Sequence, residues 1–283
     1  MTSQIDTLIT GSEGFSGRSM YDFLSKENNI NLSCLGRKQM DRVNYSQVDL
    51  TNRDKTFKYF SSNQFNQVYH FAGTYSNDFE IDIKSNVNST YNLIEAILAS
   101  RPATKIFLVG SASEYGEPQS NPVNESHPLR PLSPYGLSKQ FQTNMMQYFV
   151  EYKKANIVMA RTFNLFGKGM SQDLFVGRLY SQIELFKKNA ISSIELGNLE
   201  NKRDYIHIDK ALLHYVKIMN SGKSGEIYNV GTGLSVRIRD FLSKVLREEG
   251  LDESIIVSKL PAIAPKVDIL DIYADITKLK SLG

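Results

Sequence analysis

The residues Gly11-Ser12-Glu13-Gly14-Phe15-Ser16-Gly17 follow directly on the apolar run Thr7-Leu8-Ile9-Thr10 and open a helical pattern over 15–26. This G-x-x-G-x-x-G turn, set between a strand and a helix, restricts the fold more than any other stretch of the chain. Glycines so placed let the backbone approach a pyrophosphate closely at a helix N-terminus, where unpaired N–H groups and the helix dipole favour an anion. The spacing differs from the G-x-G-x-x-G of ordinary dehydrogenases.

The rest of the first half repeats the alternation of strand and helix. Short strand patterns fall at 31–35, 67–71, 105–109 and 156–161, and helical periods at 85–99 and 135–154. Lys105-Ile106-Phe107-Leu108-Val109 is an almost continuous apolar run, as expected of a strand covered on both faces. The expected class is therefore α/β, a doubly wound parallel sheet of Rossmann-like form. Beyond Phe166 the rhythm breaks at Gly167-Lys168-Gly169, and a helix over 174–188 and a strand over 193–196 follow. Pro261-Ala262-Ile263-Ala264-Pro265 reads as a late loop. A dinucleotide-binding domain is expected over 1–165, with a segment returning to it near 203–233. A smaller substrate-binding part is expected over 166–202 and 234–283.

Composition narrows the partners. Thirty-three Lys+Arg against 30 Asp+Glu give +3, spread without long runs of one sign, so a nucleic-acid partner is not expected. The single cysteine, Cys34, excludes an internal disulfide framework and a multi-cysteine zinc site. The four histidines, His70, His127, His207 and His214, are scattered, and no metal is expected. No apolar stretch approaches the ~20 residues needed to span a bilayer, and the N-terminus lacks a leader pattern. A soluble, cytoplasmic protein without a membrane partner is expected.

The second strand ends in Leu35-Gly36-Arg37-Lys38. Proteins that prefer NAD usually place an acid here for the ribose 2′-hydroxyl, whereas Arg37 suits a 2′-phosphate and points to NADP(H). Asp49-Leu50, after the next strand, is placed for contacts to adenine. Cys34 reads as a small buried residue of the second strand.

Of fifteen tyrosines, only Tyr135 has a lysine four residues on, Lys139. On a helix that spacing puts both side chains on one face. A phenol titrates near ~10, and an ammonium about 4 Å away would favour the phenolate by up to ~4 kcal/mol. That would suit the tyrosine to acid–base work on a carbonyl. A solvated helix face also yields Tyr-x-x-x-Lys, so its company matters. The strand 105–109 runs into Gly110-Ser111-Ala112-Ser113-Glu114-Tyr115-Gly116. Ser111, at a strand C-terminus where open parallel sheets hold ligands, can hydrogen-bond the oxygen that Tyr135 protonates.

With these motifs the sequence resembles the extended short-chain dehydrogenase/reductase family of sugar-nucleotide epimerases, dehydratases and reductases. The resemblance rests on TGSEGFSG at 10–17, HFAG at 70–73, GSASEYG at 110–116 and SPYGLSK at 133–139. It continues with RTFNLFGKG at 161–169, KRDYIHIDK at 202–210 and YNVGTG at 228–233. Within the family the chain looks most like the GDP-4-keto-6-deoxy-mannose reductases, through LRPLSPYGLSK, RTFNLFGKG, LFVGRL and LGNLENKRDY. The resemblance implies a catalytic triad of Ser111, Tyr135 and Lys139, with Lys139 also holding the nicotinamide ribose. It implies cofactor contacts at Gly11, Gly14, Phe15, Ser16, Gly17, Phe71, Ala72, Gly73 and Thr162, beside those at Arg37, Asp49 and Leu50. Substrate contacts are implied at Ser113, Asn164, Val176, Arg178 and Arg203.

The implied activity is NADPH-dependent reduction of a nucleotide-diphosphate 4-keto-6-deoxy sugar, hexose or heptose, at C4. An epimerase that keeps its cofactor bound is the alternative, and Arg37 counts against it because epimerases of this family usually favour NAD. A non-catalytic cofactor-binding scaffold would have lost the Tyr–Lys pair. A dehydratase needs an acid directly after the serine or threonine, where this chain has Ala112 and Ser113. The loop Ala264-Pro265-Lys266-Val267-Asp268 lacks an arginine that relatives often place near the diphosphate, which leaves the base open. The chain stops sooner than many relatives, so a last helix of the substrate-binding part is expected to be missing. Apolar residues of the helices at 85–99 and 135–154, including Tyr91, Met145, Met146 and Phe149, exceed one sheet-facing stripe. A homodimer is therefore expected.

Overall fold

The apolar runs of the first half enter one sheet. The computed structural model describes residues 4–258 and 269–283. Its strands and helices alternate as β1 (Ile5–Thr10), α1 (Phe15–Leu24), β2 (Ile30–Gly36), β3 (Tyr45–Gln47), α2 (Arg53–Ser62) and β4 (Gln67–His70). The chain goes on through α3 (Phe79–Asp82), α4 (Ser89–Ser100), β5 (Lys105–Ser111), α5 (Pro134–Lys153), β6 (Asn156–Thr162) and β7 (Asn164–Phe166). Then come α6 (Phe175–Lys187), β8 (Ile194–Leu196), β9 (Lys202–Arg203), β10 (Tyr205–His207), α7 (Ile208–Ser221) and β11 (Ile227–Val230). The last elements are β12 (Val236–Arg237), α8 (Ile238–Glu248), β13 (Ile256–Ser258), β14 (Asp271–Ile272) and α9 (Thr277–Lys280).

Seven strands pair in the order β11-β6-β5-β4-β1-β2-β3, and each pairing is parallel. The order reverses between β1 and β4, the switch point where such sheets open a crevice for ligands. Helices cover both faces, which explains the unbroken apolar runs. One core gathers Phe60, Leu93, Ile94, Met146 and Phe149. The other gathers Met20, Leu24, Ala211, Leu212 and Tyr215. A separate core of Val176, Leu179, Ile194, Phe241, Leu242 and Leu246 lies in the smaller part, built by α6, α8 and the short strands.

Three differences from the sequence reading have physical causes. The helical pattern expected over 85–99 begins earlier, at Phe79, and passes through a π-helical turn at Ile83–Asn88 before α4. Its inner face carries the fully buried Asp82 and Asn86, polar residues that interrupt the apolar stripe. Of the residues credited to a dimer face, Met146 and Phe149 face their own core, and Met145 packs against it. Leu279 and Leu282 of the tail, expected in the substrate-binding part, pack in the core beside β11. The Pro261 to Pro265 loop lies outside the described residues. Among the described residues no helix is long and apolar enough to cross a membrane.

Candidate active site

The glycine turn does what its spacing requires. Gly11 has φ +65, and a Cβ there would meet the Ala72 nitrogen at 2.6 Å, so β1 can run this close to the end of β4 only as glycine. A Cβ at Gly17 would lie 2.2 Å from the Gly11 carbonyl oxygen, so α1 starts against the turn. The N-cap of α1, Gly14, offers no side-chain cap, leaving the first-turn N–H groups to a ligand.

Beside this turn lies a cavity of about 460 Å³ lined by Gly11, Gly14, Arg37, Asp49, Leu50, Phe71, Ala72 and Gly73. All eight were expected to touch a cofactor. The cavity also takes in Lys38, read with Arg37 from the sequence, and Glu13, Gly36 and Thr51, which the sequence reading did not assign to a cofactor. Its size, its glycine cradle and the uncapped helix end fit a dinucleotide. Phe15, Ser16 and Gly17 begin α1 at its edge. Thr162 is buried, with its hydroxyl 2.9 Å from the Tyr215 hydroxyl.

α5 carries the tyrosine and lysine. Ser133 caps it by accepting from the Gly136 N–H at 3.0 Å, and Pro134 takes the first turn. A Cβ on Gly136 would sit 2.6 Å from the Ser113 carbonyl oxygen, so the glycine lets the helix start against the turn that follows β5. Ser111, at the end of β5, pairs in register with Thr162. Its Oγ accepts from the Ser113 N–H at 3.2 Å and the Ser113 hydroxyl at 2.7 Å, which leaves its own proton to donate. Burial raises the Tyr135 phenol above the ordinary tyrosine range, and a hydrogen bond with Ser111 only partly opposes this. Tyr75, another residue the sequence did not single out, meets the Tyr135 ring edge-on at 4.8 Å.

Lys139 is buried, and its Nζ donates to the Val109 carbonyl at 3.0 Å. Burial pushes it down to about 8, against the pull of Glu114 and Asp82. The expected depression of the Tyr135 pKa is not found. Nζ lies 5.7 Å from the phenol ring centroid, and desolvation by burial dominates. Lys139 also adjoins the cavity, since a Cβ on Gly73 would stand 4.0 Å from Nζ.

The surrounding loop is pinned by polar residues. Asp82 accepts from the Thr74 hydroxyl at 3.1 Å, the Ser76 hydroxyl at 2.8 Å and the Asn77 N–H at 3.0 Å. Asn86 holds both the N–H and the carbonyl of Thr74 and donates to the Ser138 hydroxyl at 2.9 Å. His70 bridges the Thr10 and Thr90 hydroxyls, and burial pushes it down to about 3, so it is a neutral strut.

The residues implied for substrate divide. Asn164 and Arg178 are exposed, and an Arg178 Nη1 donates to the Asp173 carbonyl at 3.2 Å. Arg203 is half-buried, with Nη1 2.6 Å from the Ile269 carbonyl. The Val176 side chain is buried in the small-part core, which leaves only its backbone for a ligand. The loop 264–268 lies outside the described residues.

The chain matches the NAD dependent epimerase/dehydratase family over residues 7–231. It is 27% identical over 288 residues to a putative UDP-glucose 4-epimerase of Methanocaldococcus jannaschii, covering 98% of this chain and 92% of that one. Among solved structures it resembles the UDP-glucose 4-epimerase of Thermotoga maritima with UDP-glucose. There the TM-score is 0.86 at 21% identity, covering 98% of this chain and 92% of the other. The RMD protein of Pseudomonas aeruginosa complexed with NADPH superposes with a TM-score of 0.84 at 20% identity, covering 99% and 91%. Both likenesses show the fold.

Proposed function

The chain belongs to the NAD dependent epimerase/dehydratase family, and we propose that it is a nicotinamide-dependent reductase of a nucleotide-diphosphate 4-keto sugar. The observation that carries this reading is Tyr135 set beside Ser111 at the end of β5, with no free carboxylate in the turn that follows. Ala112 and Ser113 occupy the two places after Ser111, and Glu114 is closed in a buried pair with Arg161 at 3.0 Å. Elimination would need an acid and base that this turn does not offer. A phenol that is protonated near neutrality and positioned on the carbonyl oxygen can donate its proton, which reduction of a ketone requires.

When bound, a reduced dinucleotide supplies the hydride equivalent. Tyr135 gives its proton to the oxygen that becomes an alkoxide at C4. Ser111, accepting from Ser113, turns its own hydroxyl on that oxygen. Lys139, fixed by the Val109 carbonyl, supplies a positive charge behind the phenol and a donor at the cavity wall. These groups act where charge develops.

Epimerisation is the second reading, favoured by the Methanocaldococcus relative. It needs Tyr135 first to take a proton from a sugar hydroxyl and later to return one. A panel of nucleotide 4-keto-6-deoxy sugars, followed by NMR, tests the choice. Stoichiometric consumption of reduced cofactor with formation of a 4-hydroxy product is expected. Interconversion of UDP-glucose and UDP-galactose without net cofactor use would replace reductase by epimerase. Around the adenosine end the charges pull in opposite directions: Arg37 and Lys38 suit the NADP(H) expected from sequence, and Glu13 opposes it.

The pH profile should carry the mark of Lys139. A lysine pushed down to about 8 is charged below that pH and neutral above it, while Tyr135 stays protonated throughout. The kcat/KM for reduction, which reports the free enzyme, should be level near neutrality and fall as pH rises through about 8. A profile still rising at pH 9 would contradict this.

The same reading includes a homodimer, through Tyr91 of the residues first expected and three further residues of α5. Phe141, Tyr148 and Tyr152 stand exposed along α5, with Tyr91 exposed on α4. The Tyr148 and Tyr152 rings lie 5.5 Å apart. A two-fold axis would cover this stripe with its own copy. Light scattering at micromolar concentration should give twice the chain mass, and Tyr148→Glu with Tyr152→Glu should halve it. A monomer mass for the unmodified protein would remove the interface.

A further inference from the structure

We propose that Glu13, in the glycine-rich turn, sets the choice of dinucleotide by accepting the 2′-hydroxyl of the adenosine ribose and turning away a 2′-phosphate. The proposal rests on the dinucleotide reading of the cavity. The sequence shows no acid at the end of β2, but the fold brings one there from β1's loop. Glu13 Oε1 accepts the Arg37 N–H at 2.8 Å. Its other oxygen, Oε2, is buried and has no hydrogen-bond partner among the described residues.

Gly36 makes room for this carboxylate. A Cβ there would lie 1.8 Å from Glu13 Oε2 and 2.5 Å from the carboxyl carbon. Glu13 and Gly36 both line the cavity, together with Leu35, Arg37 and Asp49. A buried acceptor without a donor is costly, and a donor entering the cavity relieves it. A ribose hydroxyl is such a donor. A 2′-phosphate has no proton to give near neutrality and brings like charge against a carboxylate in a partly desolvated site, where repulsion is strongest.

Arg37 and Lys38 do not cancel this. Both are exposed, so solvent screens their charge, whereas Glu13 Oε2 is inside. Glu13 also takes the Arg37 backbone N–H, a donor that a 2′-phosphate would otherwise use. The resulting preference is for NAD(H), the reverse of what Arg37 and Lys38 alone led to.

The test is direct binding to the full chain without sugar, by calorimetric titration with NADH and NADPH, and with ADP-ribose and its 2′-phosphate as probes of the adenosine end. The unmodified protein should bind each unphosphorylated ligand about tenfold or more tightly than its phosphorylated partner. Glu13→Gln keeps the size and one acceptor but removes the charge. It should tighten NADPH about tenfold, weaken NADH a few-fold, and so bring the ratio to unity or below. Gly36→Ala, which evicts the carboxylate, should move the ratio the same way. An unmodified protein that binds NADPH as tightly as NADH overturns the proposal, whether or not the variants fold. So does a ratio unchanged in Glu13→Gln. If none of the four ligands binds, the dinucleotide reading itself fails, a distinct result.

Discussion

Tyr135→Phe is expected to lower kcat for ketone reduction about 100-fold or more, the usual loss for a positioned general acid, with dinucleotide affinity nearly unchanged. The substitution removes one oxygen from a ring otherwise held by packing against Tyr75. The alkoxide oxygen carries its full charge only as hydride arrives, so the loss falls on the transition state and kcat more than on KM. Two companions separate the roles. Ser111→Ala should cost less than Tyr135→Phe, because the phenol still delivers the proton, and again mainly in kcat. Lys139→Met should harm both kcat and dinucleotide binding, since its ammonium stands next to Gly73 of the cavity lining as well as near the Tyr135 ring. Steady-state kinetics and cofactor titration on the three variants check the pattern. A Tyr135→Phe protein that reduces the ketone at the unmodified rate would move the proton to another group.

How far the chain could be read before its fold was known depended on whether the signal was local. Five strands of the sheet follow from contiguous apolar runs, and the cofactor turn follows from glycines spaced three apart. The serine, tyrosine and lysine sit on neighbouring elements at spacings that one helix and one strand end impose. Glu13 shows the opposite case. The acid that NAD-preferring proteins carry at the end of the second strand is absent from 35–38, and chain order gives no sign that the first turn supplies one. Only the parallel pairing of β1 with β2 brings Glu13 over Gly36. Asp82 and Asn86 were missed for a related reason. Buried polar residues look in sequence like a solvated helix face, and their partners at Thr74, Ser76 and Ser138 become visible only when the loop folds back. The raised pKa of Tyr135 was also out of reach, because spacing gives charge proximity but not desolvation.

Breaking the buried pair of Glu114 and Arg161 should be the most damaging single change to the fold outside the hydrocarbon core. Both side chains are essentially inaccessible, at 0% and 1%. The Glu114 carboxylate accepts from Arg161 Nε at 3.1 Å, the Thr143 hydroxyl at 2.6 Å and the Ser111 N–H at 2.8 Å. Arg161 Nη1 donates on to the Tyr115 hydroxyl at 3.0 Å, which itself donates to Asn229 at 2.6 Å. The network ties β5, α5, β6 and β11 together and fixes the backbone of Ser111 through a reciprocal cap. Removing one charge strands the other in a medium that solvates it poorly. Arg161→Met or Glu114→Gln alone should therefore cost about 3–5 kcal/mol. The double variant Glu114→Gln with Arg161→Met leaves no stranded charge, and the amide oxygen can still accept the Ser111 N–H. Its cost should fall well below the sum of the two, a coupling of about 1–3 kcal/mol. Urea unfolding with a shared slope measures all four corners of the cycle. Additive losses, or single losses below about 1 kcal/mol, would mean that the pair is not held apart from water as its burial indicates. Because Glu114 also holds Ser111, Arg161→Met should lower kcat in the protein that remains folded, without shifting the fall in kcat/KM above pH 8 that belongs to Lys139.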